Sequence, residues 1–197
     1  MSRLAPTDHP IHDLLSKRWS PRAFSDQPID SATVHRLLEA ARWSPSSYNE
    51  QPWAFFVATK DRPEDYARLL ACLIEFNQSW AKTAPLLIIT AAHLTLERNG
   101  QPNLHAYHDV GLAAAQLIFQ ATAEGLLVHQ MAGIKVDHTR ASLHIPAGWD
   151  PVTALAIGYL GDPASLSEDL GKRESAARVR KPLSSFVFGN AWGESLS

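Results

Sequence analysis

Three short apolar runs decide most of what this chain can fold into. Residues 86–92, 126–132 and 153–161 are rich in Leu, Ile and Ala and lack strict alternation of apolar and polar side chains. Such runs read as strands covered on both faces, which requires helices on two sides of a sheet. The intervening segments supply them. Asp30 or Ser31 can cap a helix on which Val34, Leu37, Leu38 and Ala41 share a face. A second helix is expected from Pro63 to about residue 76, with Leu69, Leu70, Leu73 and Ile74 turned inward. The longest should occupy residues 105–124 and stop at Gly125. Residues 53–59 add a fourth strand. No linker or repeat divides the chain, so residues 1–197 are read as one domain. The expected architecture is a mixed sheet with helices on both sides, not the regular βαβ alternation of a dinucleotide-binding fold.

Composition narrows the function. Only 19% of residues are charged, against about 25% in ordinary globular proteins. Six Trp and 13 Pro are generous for 197 residues, which suggests that part of the surface is covered by another subunit. A net charge of −2 argues against nucleic-acid binding through a bulk basic field. Cys72 is the only cysteine, so neither an intrachain disulfide nor a thiolate zinc cluster is expected, and its apolar neighbours mark it as a buried thiol. The first residues lack a signal-peptide core, and the apolar run 84–92 is about half of the ~20 residues that a membrane span needs. A cytoplasmic protein is the expectation. There is no G-x-G-x-x-G, P-loop or G-x-S-x-G. His105, His108 and Asp109 share a helix face, but no H-E-x-x-H accompanies them and surface or capping roles explain them. No metal site is expected.

Three polar clusters sit beside the apolar elements. Arg18, Ser20 and Arg22 offer two guanidinium forks and a hydroxyl, which suit either a phosphate or a solvated helix end. Residues 44–53, Ser-Pro-Ser-Ser-Tyr-Asn-Glu-Gln-Pro-Trp, carry many directional groups between two prolines, as a ligand edge would. Arg178, Arg180 and Lys181 form a basic, proline-bounded tail.

Together, Arg18-x-Ser20-x-Arg22, Pro45-Ser46-Ser47-x-Asn49-x-Gln51-Pro52-Trp53, Asn77, Met131-Ala132-Gly133 after Gly125-Leu126, and Arg178-x-Arg180-Lys181-Pro182-Leu183 resemble the nitroreductase family of FMN flavoproteins, from about residue 10 to 192. The resemblance implies an α+β fold, built as an intertwined homodimer with the C-terminal tail exchanged and two FMN sites at the interface. Arg18, Trp19, Ser20, Arg22, Arg178 and Arg180 would then hold the phosphate and flavin edge. Pro45, Ser46, Ser47 and Asn49 would reach the flavin from the other protomer. Asn77 would contact the ring edge or ribityl chain, and Met131, Ala132 and Gly133 would lie against the ring, the Gly133 N–H near N5. Asp109 matches weakly. Trp19 replaces a small residue of many relatives and Gln130-Met131 an acidic segment of some, which bears on the choice of substrate.

The implied activity is a ping-pong cycle. NADH or NADPH gives a hydride to flavin N5, and a nitroaromatic, quinone or enone then takes it up. No protein nucleophile or metal is required. The alternatives are other FMN chemistry on the same fold, namely dehydrogenation, dehalogenation or flavin destruction, and a non-catalytic flavin-binding protein. The loop from Glu97 to Pro102 is short for the inserted lid that such chemistry would favour.

Overall fold

The computed structural model describes residues 3–196. Its centre is a sheet of β1 (Trp53–Thr59), β2 (Leu86–His93), β3 (Leu127–Met131) and β4 (Trp149–Gly158), in the order β1-β2-β4-β3. All three pairings are antiparallel. The parallel neighbour that would make the sheet mixed is not among the described strands. β2 shows why its run lacks alternation. Leu87 and Ile89 enter a core with Leu69, Leu73, Trp80 and Met131, while Leu86 and Ile88 enter another with Leu37, Ala41, Ala113 and Leu117. β4 divides in the same way, Ala154 and Ala156 to the first core and Leu155 and Ile157 to the second.

Helices α2 (Ser31–Arg42) and α5 (Ala106–Ala123) cover one face; α3 (Pro63–Ala71), α4 (Glu75–Ala81) and α7 (Glu168–Ser175) cover the other. Two short helices, α1 (Asp13–Lys17) and α6 (Val136–Ser142), complete the set. Asp30 caps α2, its carboxylate accepting from the Thr33 N–H at 2.7 Å, a contact of about 1 kcal/mol. α5 ends at a left-handed Gly125 (φ 76°), with the Leu126 N–H reaching back to the Ala121 carbonyl at 2.8 Å. Cys72 is fully buried, as its neighbours indicated. Among the described residues no helix is long and apolar enough to cross a membrane.

Two departures from the sequence reading matter. The helix expected over residues 63–76 breaks before α4, because Leu73 bridges Ile134. There the Ile74 N–H donates to the Gly133 carbonyl at 3.1 Å and the Lys135 N–H to the Cys72 carbonyl at 2.7 Å. These bonds to the chain leaving β3 divert backbone groups that would have continued the helix. β4 starts at Trp149, not at residue 153, because a register shift opposite Thr90 and Ala91 tolerates Pro151 in the ladder. The apolar tail piece 186–188 does not join this sheet: Phe188 bridges Ser195, and Phe186 is exposed.

Candidate ligand-binding site

The chain passing Arg18 to Ser25 is placed by partners from the far end of the sequence. The Ser25 N–H donates to the Tyr159 carbonyl at 3.0 Å and the Gly161 N–H to the Ala23 carbonyl at 2.9 Å. A Cβ on Gly161 would lie 2.4 Å from the Phe24 carbonyl carbon, so only glycine permits this approach. Glu174, on α7 and 3% exposed, accepts from the Arg22 N–H at 2.9 and 3.0 Å and from the Ala23 N–H at 3.3 Å. Arg178 straps the tail to the same segment. Its Nη1 donates to the carbonyls of Arg3 (2.5 Å) and Ser16 (2.9 Å), and its Nη2 to that of Arg18 (2.7 Å).

Arg18, Trp19, Ser20, Arg22, Arg178 and Arg180 thereby line one cleft of about 310 Å³. Arg18 Nη1 donates to Ser20 Oγ at 3.3 Å, and among the described residues Arg180 reaches only the Val179 carbonyl. None of Arg18, Arg22, Arg178 and Arg180 forms an ion pair among the described residues. Glu174 lies close, but its oxygens are committed to backbone N–H groups, and Arg22 Nε is buried without an acceptor among the described residues. Burial, then Arg180, pushes the pKa of Arg18 down; burial, then Arg18, Arg180 and Arg3, does the same to Arg178. Arg22 is lowered by burial and Arg173 against the pull of Glu174. A guanidinium remains charged regardless, so these shifts register desolvation first and mutual repulsion second, and an anion in the cleft would offset both. Arg178 differs from the others, since both its terminal nitrogens are occupied by carbonyls. It holds the cleft together.

Beneath this segment His129 Nδ1 donates to the Pro21 carbonyl at 2.8 Å, and its ring lies 4.5 Å from that of Trp80. Arg22 sits 5.9 Å from the same indole. Trp80 belongs to α4, which also carries Asn77. The Asn77 Nδ2 donates to the Gly133 carbonyl at 3.0 Å, and a Cβ on Gly133 would lie 2.5 Å from that nitrogen. The Gly133 N–H donates to no group of this chain among the described residues. Ala132 is exposed, whereas Met131 is buried in the core beside Trp80. Arginine cleft, Asn77 and Gly133 are therefore joined through α4.

The remaining predicted residues form a separate group. Pro45, Ser46, Ser47 and Asn49 occupy the turn between α2 and β1, where the Ser47 N–H donates to the buried Asp109 carboxylate at 3.0 Å. Pro45, Ser46 and Ser47 face a second cleft, of about 250 Å³, shared with His105, His108 and Asp109. No hydrogen bond, ion pair or shared cleft joins this turn to the arginine cluster among the described residues. One chain presents two partial sites.

The Nitroreductase family profile matches residues 15–159. The chain belongs to the Nitroreductase family. It is 34% identical over 137 residues to an uncharacterised 15.4 kDa protein of the ask 5′ region of Mycolicibacterium smegmatis, covering 69% of this chain and 90% of that protein. A putative NADH dehydrogenase/NAD(P)H nitroreductase of Burkholderia lata is 28% identical over 179 residues, 81% of this chain and 90% of that one. Among solved structures, an oxidoreductase containing FMN superposes with a TM-score of 0.89 at 35% identity over 96% of both chains. A nitroreductase family protein of Clostridium difficile 630 shares the fold at a TM-score of 0.70 and 23% identity, over 90% of this chain and 96% of that one. Within this member of the Nitroreductase family, sequence reasoning missed Glu174, His129 and the brace that Asp109 supplies. Only His129 left a signal: it falls between Leu127 and Met131 on the inward parity of a strand.

Proposed function

We propose that this chain is an FMN-dependent oxidoreductase of the cytoplasm that passes a hydride from NADH or NADPH to an electron-poor acceptor. It does so as a homodimer with two shared sites. The observation that carries this reading is the crowd of Arg18, Arg22 and Arg180, without a carboxylate of their own, joined through one helix to the unpaired Gly133 N–H. A ligand bearing both a phosphate and a flat heteroaromatic ring satisfies both deficits. The FMN of the 35%-identical solved oxidoreductase supports the same ligand.

When bound, FMN supplies two-electron chemistry at N5 between the reduced nicotinamide and a nitroaromatic, quinone or enone. The protein binds and orients it. Arg18, Arg22 and Arg180, with Ser20, grip the phosphate; Trp19 walls the cleft and Arg178 keeps it assembled. Asn77 spends its amide N–H on the Gly133 carbonyl, which leaves its Oδ1 as an acceptor for the ring edge or a ribityl hydroxyl. That bond also fixes Gly133, with Ala132 and the backbone of Met131 beside it, so that its N–H is held ready for N5. The arginines favour negative charge on the bound ligand. Pro45, Ser46, Ser47 and Asn49 of a second copy complete the site, which accounts for their separation from the arginines in one chain. Phe186 and Trp192, 56% and 90% exposed, are then covered by tail exchange.

The test begins with colour. Purified protein should be yellow or become so with FMN, and NADH or NADPH should bleach it without oxygen. Arg18→Ala and Arg180→Ala should each weaken FMN retention roughly ten- to a hundredfold, the loss of a charge-assisted hydrogen bond, before affecting unfolding. Protein that stays colourless after reloading ends the flavin reading, and bound flavin that neither nucleotide bleaches ends the enzymatic one. Unchanged affinity in both variants removes the phosphate from this cleft.

A further inference from the structure

We infer that the hairpin between β2 and α5 clamps the turn at residues 45–51, and that Arg98 at its tip is a positioning residue for that turn. The inference rests on the reading above, in which the turn borders the flavin. Tyr48, Asn49 and Gln51 have φ of 52°, 57° and 49°, the left-handed region that side chains with a Cβ avoid. Three such residues within four positions do not stay there unaided. Within the turn, the N–H groups of Asn49 and Glu50 donate to the carbonyls of Ser46 and Ser47 at 3.0 and 3.1 Å, a single helical turn. The Gln51 N–H donates to Ser46 Oγ at 3.0 Å, and its side-chain amide to the Asn49 carbonyl at 3.0 Å.

The remaining support comes from outside. Asp109 holds the Ser47 N–H at one end. At the other, the Arg98 guanidinium carbon lies 3.7 Å from the centroid of the Tyr48 ring, and its Nε lies 3.5 Å from Glu50 Oε1. The second Glu50 oxygen accepts from the Glu97 N–H at 2.7 Å, and the carboxylate is 5% exposed. A single hairpin tip therefore grips the turn on both sides of Asn49. The hairpin is itself well braced. Thr95 bridges Pro102, the Leu96 N–H donates to the Gln101 carbonyl at 2.8 Å, and Gly100 takes the left-handed bend at φ 70°. Its base is tied to the fold by the Leu94 N–H on the Gly148 carbonyl at 2.8 Å. Arginine suits the tip because one planar group can stack on a ring and direct Nε at a carboxylate; lysine offers only a point charge.

Neither Tyr48 nor Arg98 belongs to a hydrophobic core, so the clamp orders the turn without supporting the sheet. Releasing it spreads the turn over more conformations, and a ligand that needs one of them binds more weakly by the fraction lost.

The experiment uses flavin-free protein in three measurements. These are hydrogen exchange of the peptide covering residues 44–52, the thermal midpoint, and FMN affinity from quenching of flavin fluorescence. Arg98→Ala and Tyr48→Ala should each speed exchange in that peptide alone, leave the midpoint unchanged, and weaken FMN binding by about tenfold, the effect of a competent population cut to a tenth. Tyr48→Phe should match the parent, and Arg98→Lys should recover only part of the affinity. Tyr48→Ala leaves no buried carboxylate without its partner, so it controls for any disturbance that Arg98→Ala causes at Glu50. Unaltered exchange in both alanine variants overturns the clamp. So does faster exchange with unchanged FMN affinity, or a lowered midpoint with exchange quickened across the sheet. If the parent protein binds no FMN, the flavin reading falls, while the exchange result still decides whether the hairpin orders the turn.

Discussion

A histidine ring packed against an indole inside a protein is tolerated when it is neutral, and His129 is held in that form. Burial first, with Arg22 adding to it, pushes its pKa from 6.5 to about 4 against the opposing bond to the Pro21 carbonyl. The unfolded chain therefore binds a proton below pH 6.5 that the folded chain refuses until about pH 4. Stability from this residue is complete above pH 6.5 and is lost as the pH falls through that window, by about 1.4 kcal/mol per pH unit. Denaturant unfolding at pH 7, 6 and 5 should show this slope, and His129→Gln should remove it. Carboxylates lowered in the fold, such as Glu39 at about 2, act at more acidic pH, so a slope unchanged in the variant would mean that another group carries it. The residues that could be read from sequence were those whose chemistry conflicts with their surroundings, such as arginines beside prolines. Glu174 could not be. It follows Glu168, Asp169, Lys172 and Arg173, and in sequence that run is a wetted helix face.

At the scale of elements, the break between α3 and α4 does the most to shape the proposed site. It lets Gly133 lie against Ile74 and Asn77, and so joins a strand end to a helix start. A methyl group at Gly133 would lie 2.5 Å from Asn77 Nδ2 and 2.7 Å from Ile74 Cδ1. Both are side-chain ends that can swing away, so Gly133→Ala should cost only about 1–2 kcal/mol of stability, that of one lost hydrogen bond with some strain. FMN retention should fall much further, because Asn77 and the Gly133 N–H are displaced together. Melting curves and flavin titration of the same variant decide this; a parallel loss in both would make the contact merely structural. Sequence periodicity located all four strands and the long helix, since burial on both faces leaves a plain compositional mark. It ran straight through the break because Cys72, Leu73 and Ile74 are as apolar as a helix interior. What stops that helix is a bond to residues 133–135, more than fifty positions away, which no local pattern records.

On the scale of the whole molecule, apolar surface remains uncovered in one chain. Trp43, Leu104, Val179 and Trp192 are each more than 70% exposed, more aromatic and aliphatic area than a lone domain usually leaves wet. A second copy would cover it and would bring the turn at residues 45–49 to the arginines. Sedimentation should therefore give a dimer, and removing residues 183–197 should loosen both the dimer and its FMN while the sheet remains folded. A truncated chain that keeps both would rule out tail exchange. The composition pointed to hidden surface, but which surface it is follows only from the fold. The arginine cleft carries a further consequence. Arg178 reaches the carbonyl of Arg18 across 160 positions, and Glu174 reaches Arg22 across 152. During synthesis the first half of the cleft is made early and waits for nearly the whole remaining chain before the second half can meet it. On the proposed reading, a phosphate can be gripped there only after synthesis has passed Arg180 and the two ends of the cleft have folded together.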